Sequence, residues 1–286
     1  MILISPSYSA QTEDIEISIE VLKSLGLKVE LGDSVFKKWG NFAGTDNQRM
    51  GDLQKALDSK HAKAIICIRG GYGISRIIPD LDWTGFTNHP KWIIGFSDVT
   101  LLHLKIQKSG FQSIHGLMAA RFGHPAYKES FESLKYLLFD RTPVLKHRIL
   151  QSSQNHPHLH LEGLLTGGNL TLVSHSFGTG FEPNLEGKIL VLEETGEPYY
   201  KLDRMLHQIK LSGKDKELKA IVLGQFTDCE KAGFPFDLPD LVLNIFPDLP
   251  VFYGLEAGHG VPNLPLVLGA MAKIEIGSEV LLVQTL

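Results

Sequence analysis

Ser97 stands in Trp92-Ile93-Ile94-Gly95-Phe96-Ser97-Asp98-Val99-Thr100, where an apolar strand breaks at a glycine, presents a serine and runs into an amphipathic helix. A serine on such a tight strand-to-helix turn has its hydroxyl pushed out of the sheet, and the following backbone N–H faces the oxygen of an attacked carbonyl. The chemistry this layout suits is acyl transfer through a nucleophilic serine. A second glycine-rich turn, Ile68-Arg69-Gly70-Gly71-Tyr72-Gly73, follows the apolar run Ala64 to Ile68. Two such turns at neighbouring strand ends would form one site, with the N–H of Asp98 and one from Gly70 or Gly71 as oxyanion donors.

Local sequence leaves other readings open. Val99 stands where the G-x-S-x-G pattern has its second glycine. Ser97 or Asp98 also reads as the cap of a helix from Val99 to Lys108 that Gly110 ends, and Gly-Gly-x-Gly also reads as a tight connection or a phosphate cradle.

A serine nucleophile needs a base and an acid. Gly258 and Gly260 flank His259, which leaves an imidazole exposed on a mobile or sharply bent loop. His103, His115 and His207 compete for the role, and the first and last fit helix surfaces. Among acids, the strand Gly187 to Leu192 delivers Glu193 just before the turn signal Thr195-Gly196-Glu197-Pro198. On local grounds Glu193, Glu194 and Glu197 are equal, each also reading as a turn acid or helix cap. Serine, acid, histidine is one of the chain orders that triads adopt. Cys67 lies within a strand and reads as a buried core thiol rather than a nucleophile.

Arg69-Gly70-Gly71-Tyr72-Gly73 with Arg76 and Asp82-Trp83 opens a longer series: Gly95-Phe96-Ser97-Asp98, His115-Gly116-Leu117-Met118 and Gly167-Gly168-Asn169-Leu170. Leu192-Glu193-Glu194 through Glu197-Pro198, Asp203-Arg204-Met205-Leu206, Gly258-His259-Gly260, Leu264-Pro265-Leu266 and Leu268-Gly269-Ala270 complete it. In that order, from about Ile4 to Ala270, the chain resembles the LD-carboxypeptidase (muramoyltetrapeptide carboxypeptidase) family of serine peptidases, which also holds the microcin-immunity peptidases.

The resemblance implies a triad of Ser97, Glu193 and His259, the serine in an N-terminal domain and its partners in a C-terminal one. It implies a homodimer that needs no metal or cofactor and releases terminal D-alanine from murein tetrapeptides during cell-wall recycling. Arg69, Arg76 and Arg204 are the candidates for reading substrate carboxylates, each equally a structural ion pair. The rival within the family is an amidase acting on a peptidyl-nucleotide antibiotic. The rival of another class is a non-catalytic module holding a nucleotide phosphate on its glycine turns, against which stands the absence of G-x-x-x-x-G-K-[ST].

These residues need elements to position them. With 286 residues the chain has room for two domains, and 43% hydrophobic, 21% charged and net charge −4 describe an ordinary globular enzyme. A mildly acidic chain without a Lys/Arg run argues against nucleic acid as a partner. Met1 to Ser7 reads as a first strand rather than a signal peptide, nothing approaches a membrane span, and two cysteines, Cys67 and Cys229, make a poor disulfide framework, so a cytoplasmic protein is expected.

In the first half, strands and helices alternate: Ile2 to Ile4, helix Thr12 to Leu25, Lys28 to Leu31, helix Asp46 to Leu57 with a Thr45/Gln48 capping box, then strands ending at Arg69 and Gly95. That pattern predicts an α/β domain with a parallel sheet of Rossmann or flavodoxin type, ligands binding beyond the carboxyl ends of its strands. A helix near Lys128 to Leu138 gives way to Arg141-Thr142-Pro143 and a polar stretch, which puts the division at 1–150 and 151–286. In His156-Pro157-His158-Leu159-His160 three imidazoles share one face of an extended segment, but with no partner ligands at metal-binding spacing they read as exposed linker histidines. Strands at His160 to Leu165, Lys188 to Leu192, Ala220 to Gly224, Met271 to Ile276 and Glu279 to Val283, with helices Leu170 to Phe177, Tyr199 to Leu211 and Leu238 to Ile245, predict an α+β or β-barrel-like second domain.

Overall fold

The computed structural model describes residues 1–151 and 161–286. The histidine-rich segment His156 to His160 lies outside them. The first part of the chain runs β1 (Ile2–Ile4), α1 (Thr12–Ser24), β2 (Glu30–Leu31), α2 (Asp46–Asp58), β3 (Ala64–Cys67), α3 (Thr84–Asn88), β4 (Trp92–Gly95), α4 (Thr100–Lys108), β5 (Ser113–His115) and α5 (Lys128–Phe139). The second continues with β6 (Val144–Gln151), β7 (Leu161–Asn169), α6 (Leu170–Ser176), β8 (Lys188–Thr195), α7 (Tyr199–Leu211), β9 (Ala220–Thr227) and α8 (Leu238–Ile245). It closes with β10 (Val251–Tyr253), β11 (Leu266–Leu268), β12 (Met271–Ile276) and β13 (Val280–Thr285).

Strands β5-β4-β3-β1-β2 pair in parallel, and their side chains divide by strand alternation into two cores. Ile2, Ile4, Ile65, Cys67 and Ile93 pack with Leu53, Leu57 and Leu101 of α2 and α4. Leu3, Ile66, Ile94 and Ile114 pack with Ile15, Leu22, Leu134 and Leu137 of α1 and α5. Both faces are therefore covered, which is why these strands read as continuous apolar runs. Burying one such aliphatic side chain stabilises the fold by about 1.5–3 kcal/mol. The Thr45/Gln48 capping box that starts α2 is formed in full.

Among the described residues, seven strands close a barrel in the order β10-β6-β13-β12-β7-β8-β9. Leu165, Val191, Val222, Phe252, Ala272 and Leu282 fill its interior, while Leu190, Leu192 and Leu223 face out against α6, α7 and α8. The barrel begins at Val144, ahead of the expected division at 150/151, and β11 leaves it to pair antiparallel with β5 at the edge of the first sheet. Leu104 of α4 joins the core under α6 and α7, whereas Leu101, Leu102 and Ile106 join the sheet core. That double covering buries His103, so the expected helix-surface position does not hold for it. Among the described residues no helix is long and apolar enough to cross a membrane.

Candidate active site

Beyond Gly95 the chain makes a 3₁₀ turn, Ser97–Val99, before α4. Ser97 has φ 62°, a left-handed conformation that costs a non-glycine residue about 1–3 kcal/mol. The neighbouring turn makes room for it: a Cβ on Gly70 would lie 3.0 Å from Ser97 Cβ and 3.2 Å from its Oγ. Asp98, 1% exposed, holds the two turns together, because its Oδ2 accepts from Ser7 Oγ at 2.7 Å and from the Ile74 N–H at 3.0 Å. Burial pushes its carboxyl upward, against those hydrogen bonds.

On the barrel side, Glu193 sits where the β8–β9 register shifts between Leu192 and Glu194, a bulge that re-aims side chains. Glu193 is fully buried, and its Oε2 accepts from His259 Nδ1 at 2.7 Å. Gly258, at φ +136°, lets the His259 loop approach this closely, since a Cβ there would stand 3.0 Å from Glu193 Oε2. The loop is pinned rather than mobile. Gly260 N–H donates to Gln225 Oε1 at 2.8 Å, Gly258 N–H to Asn263 Oδ1 at 3.1 Å, and Asn263 N–H to Ser130 Oγ at 2.9 Å.

Electrostatics follow from this pairing. Burial alone would raise the Glu193 carboxyl, but the His115 and His259 imidazoles hold it below its ordinary value. Burial alone would lower His259, and the Glu193 carboxylate more than offsets it, so that imidazole is raised. An imidazole fixed through Nδ1 on a buried carboxylate presents Nε2 as a base.

Ser97, His259, Gly70 and Gly71 line one cavity of about 470 Å³, and the Phe96 ring meets the His259 ring edge-on at 4.8 Å between centroids. The cavity lies beyond the carboxyl ends of β3 and β4, where open α/β sheets bind ligands. Among the described residues no direct hydrogen bond joins Ser97 Oγ to His259, and such bonds commonly tighten only once substrate is bound.

The other candidates separate. Glu194 accepts from Asn169 Nδ2 at 2.9 Å and from the Thr171 N–H at 2.8 Å, at the start of α6. Glu197 pairs with Lys201 at 2.8 Å. Arg69 lines the cavity, with Nη1 donating to Ser9 O at 2.9 Å. Arg76 does not line it and grips Asp46 through Nη2 at 2.6 Å, and Arg204 lies on α7 over the Tyr200 ring. The structure instead brings Arg121, Tyr127 and Asp14 to the cavity, residues that sequence reasoning missed. Arg121 follows soon after the carboxyl end of β5, which is the one signal that could have found it. His103 is bonded on both nitrogens and pulled down to about 3 by burial, and His207 lies on α7 in contact with Asp203. Cys67 is buried, its thiol pushed well up, and both cysteines are free. Among the described residues no cluster of three His, Cys, Asp or Glu could hold a metal ion.

The LD-carboxypeptidase N-terminal domain matches residues 1–116 and the LD-carboxypeptidase C-terminal domain matches residues 162–274. The chain belongs to the LD-carboxypeptidase family of serine-peptidase-type hydrolases. It is 34% identical over 282 residues to the murein tetrapeptide carboxypeptidase of Pseudomonas aeruginosa, covering 96% of this chain and 92% of that one. The crystal structure of muramoyltetrapeptide carboxypeptidase from Oxalobacter formigenes superposes with a TM-score of 0.86 at 28% identity, covering 99% of each chain. The microcin C7 self immunity protein MccF, in complex with aspartyl sulfamoyl adenosine, shares the fold with a TM-score of 0.87 at 21% identity, covering 99% of this chain and 95% of that one.

Proposed function

We propose that this protein is a serine LD-carboxypeptidase that releases terminal D-alanine from murein tetrapeptides, with Ser97 as nucleophile, His259 as base and Glu193 as the acid. The observation that carries the reading is the His259–Glu193 bond of 2.7 Å at a cavity that also holds Ser97. The 34% identity to a murein tetrapeptide carboxypeptidase supports the substrate class.

His259 Nε2 takes the proton of Ser97 as Oγ attacks the carbonyl of the scissile amide, and Glu193 stabilises the imidazolium that forms. Backbone N–H groups of Asp98 and of the Gly70-Gly71 turn receive the oxyanion, a role worth about 3–4 kcal/mol for one donor. His259 then protonates the leaving amine of D-alanine, and water releases the acyl group by the same route in reverse. Arg69 and Arg121 in the cavity are the cations suited to the terminal carboxylate, and Asp14 is suited to a substrate ammonium. A cytoplasmic site of action in peptidoglycan recycling and a homodimeric state complete the proposal, on the strength of the family resemblance.

The test is substrate selectivity. Release of D-alanine from the tetrapeptide should exceed, by at least about a hundredfold in kcat/KM, turnover of the all-L analogue and of a pentapeptide ending in two D-alanines. The pentapeptide moves the carboxylate one residue out and presents a D,D bond. Comparable rates on all three, or preference for an aminoacyl sulfamoyl nucleoside, would replace this substrate assignment with an amidase of the microcin-immunity type.

A further inference from the structure

Among the described residues, Glu193 is hydrogen-bonded within normal distance from one side only. Its Oε2 is bonded to His259, yet Oε1, equally buried, has no hydrogen-bond partner among the described residues. A carboxylate offers about four acceptor sites, and leaving one oxygen bare in a dry interior is unfavourable. Facing that oxygen at 4.0 Å is Nε2 of His115, a fully buried imidazole whose two ring nitrogens also lack partners among the described residues. Two complementary groups, both buried and both unpaired, therefore stand just beyond hydrogen-bond distance of each other.

The surroundings of His115 leave Glu193 as its partner. His103 lies next to it, ring centroids 6.4 Å apart, but has nothing to donate toward it. The Gly95 carbonyl can only accept, so His103 Nε2 carries the proton at 2.8 Å, and Nδ1 receives the Ser113 hydroxyl at 2.9 Å. Burial keeps that ring neutral. Phe96 covers another side of His115 at 5.7 Å between centroids and offers no acceptor.

We infer that His115 is a positioning residue for the acid, its Nε2–H donating to Glu193 Oε1 after a small rotation of the ring so that Oε2 stays directed at His259. This rests on the reading of Ser97, Glu193 and His259 as the triad. His115 ends β5 of the sheet that carries Ser97, whereas Glu193 belongs to the barrel. The bond therefore ties the acid of one unit to the sheet of the nucleophile, in the manner by which outer hydrogen-bond partners fix the groups that do the chemistry.

The experiment compares His115→Gln, which keeps a donor near the Nε2 position, with His115→Met, which has almost the same shape and no donor. D-alanine release should fall at least about thirtyfold in kcat for the methionine variant with KM within about twofold, while glutamine stays within about fivefold of wild type. The acid limb of kcat/KM should also move to lower pH in the methionine variant, because an unheld carboxylate supports the part-buried imidazolium of His259 less well. Loss of packing alone would leave that limb in place. Equal behaviour of the two variants, with the limb unmoved, overturns the inference.

A second measurement needs neither turnover nor a His115 variant. In the wild-type protein, proton NMR should show two hydrogen-bonded imidazole N–H resonances, assigned by ¹⁵N-histidine labelling to His115 and His259, and Glu193→Gln should shift both. Movement of the His259 resonance alone overturns the role of His115 while leaving the triad standing. Absence of D-alanine release by the wild type would instead strike the proposed activity.

Discussion

His259 and Glu193, 66 residues apart in sequence, meet through a 2.7 Å bond in which a fully buried carboxylate faces an imidazole that is 21% exposed to the cavity. One end of the pair is sealed from water and the other is open to substrate. That asymmetry lets the carboxylate keep its charge on the imidazole while Nε2 remains free to exchange a proton.

Ser97→Ala and His259→Ala should each lower kcat by about a thousandfold or more with the fold retained, and the double variant should lose little beyond either single one, since such groups act as a unit. Glu193→Gln should cost far more than Glu194→Gln in activity, because only Glu193 touches His259. Steady-state kinetics with circular dichroism as a folding control checks this, and the reverse order for the two glutamates would contradict the assignment.

The pH dependence has a definite sign. His259 is raised from 6.5, and a general base works deprotonated, so the acid limb of kcat/KM should lie above 6.5 and move down in Glu193→Gln. In stability, the share of His259 is present below 6.5 and lost as pH rises through its raised value. The share of Glu193, whose carboxyl is lowered from 4.5, is present above 4.5 and lost as pH falls through its lowered value. The difference in Tm between wild type and Glu193→Gln should therefore be greatest between about 4.5 and 6.5 and shrink on either side. A difference that does not vary with pH would show that the pair is not ionic.

Gly70→Ala tests the fit of the two turns. The added methyl would meet Ser97 Cβ at 3.0 Å and displace that side chain. A loss of about tenfold to a hundredfold in kcat is expected, with Tm nearly unchanged. Full activity would mean that the placement of Ser97 does not depend on the glycine turn.

Arg69→Ala and Arg121→Ala should raise KM for the tetrapeptide about tenfold or more, and Arg204→Ala should leave it within about twofold. Arg76→Ala should act on stability through the lost Asp46 pair instead. Isothermal titration of the Ser97→Ala protein with the tetrapeptide separates binding from turnover. Equal effects at Arg69 and Arg204 would contradict the cavity assignment.

The long strictly patterned elements were legible in the sequence. Met271–Ile276, Tyr199–Leu211 and Leu238–Ile245 fall where periodicity puts them, and the Thr45 cap was readable from its spacing to Gln48. Strand β6 alternates cleanly, yet His147 stands on its buried face and Lys146 and Arg148 on the other, which masks the apolar period, and the sequence reading assigns no element there. Strands β10 and β11 have three residues each, too short for any period to show. Ser97 and His259 were legible as candidates because a broken strand and flanking glycines mark them, and the structure brings both to one cavity. The contact of His259 with Glu193 rather than Glu194 was not legible from local sequence, because the register of β8 and β9 shifts at a bulge there. Arg121, Tyr127 and Asp14 reach the cavity only through the tertiary fold.

The most direct test of the account is to trap the acyl-enzyme. The wild type and the Ser97→Ala protein, each mixed with murein tetrapeptide and quenched in acid within milliseconds to seconds, would be digested and examined by mass spectrometry. The account predicts a covalent tripeptide adduct, the substrate less D-alanine, on the peptide containing Ser97 in the wild type, and none in Ser97→Ala. D-alanine release by Ser97→Ala at an undiminished rate, or an adduct on any other side chain, would contradict it.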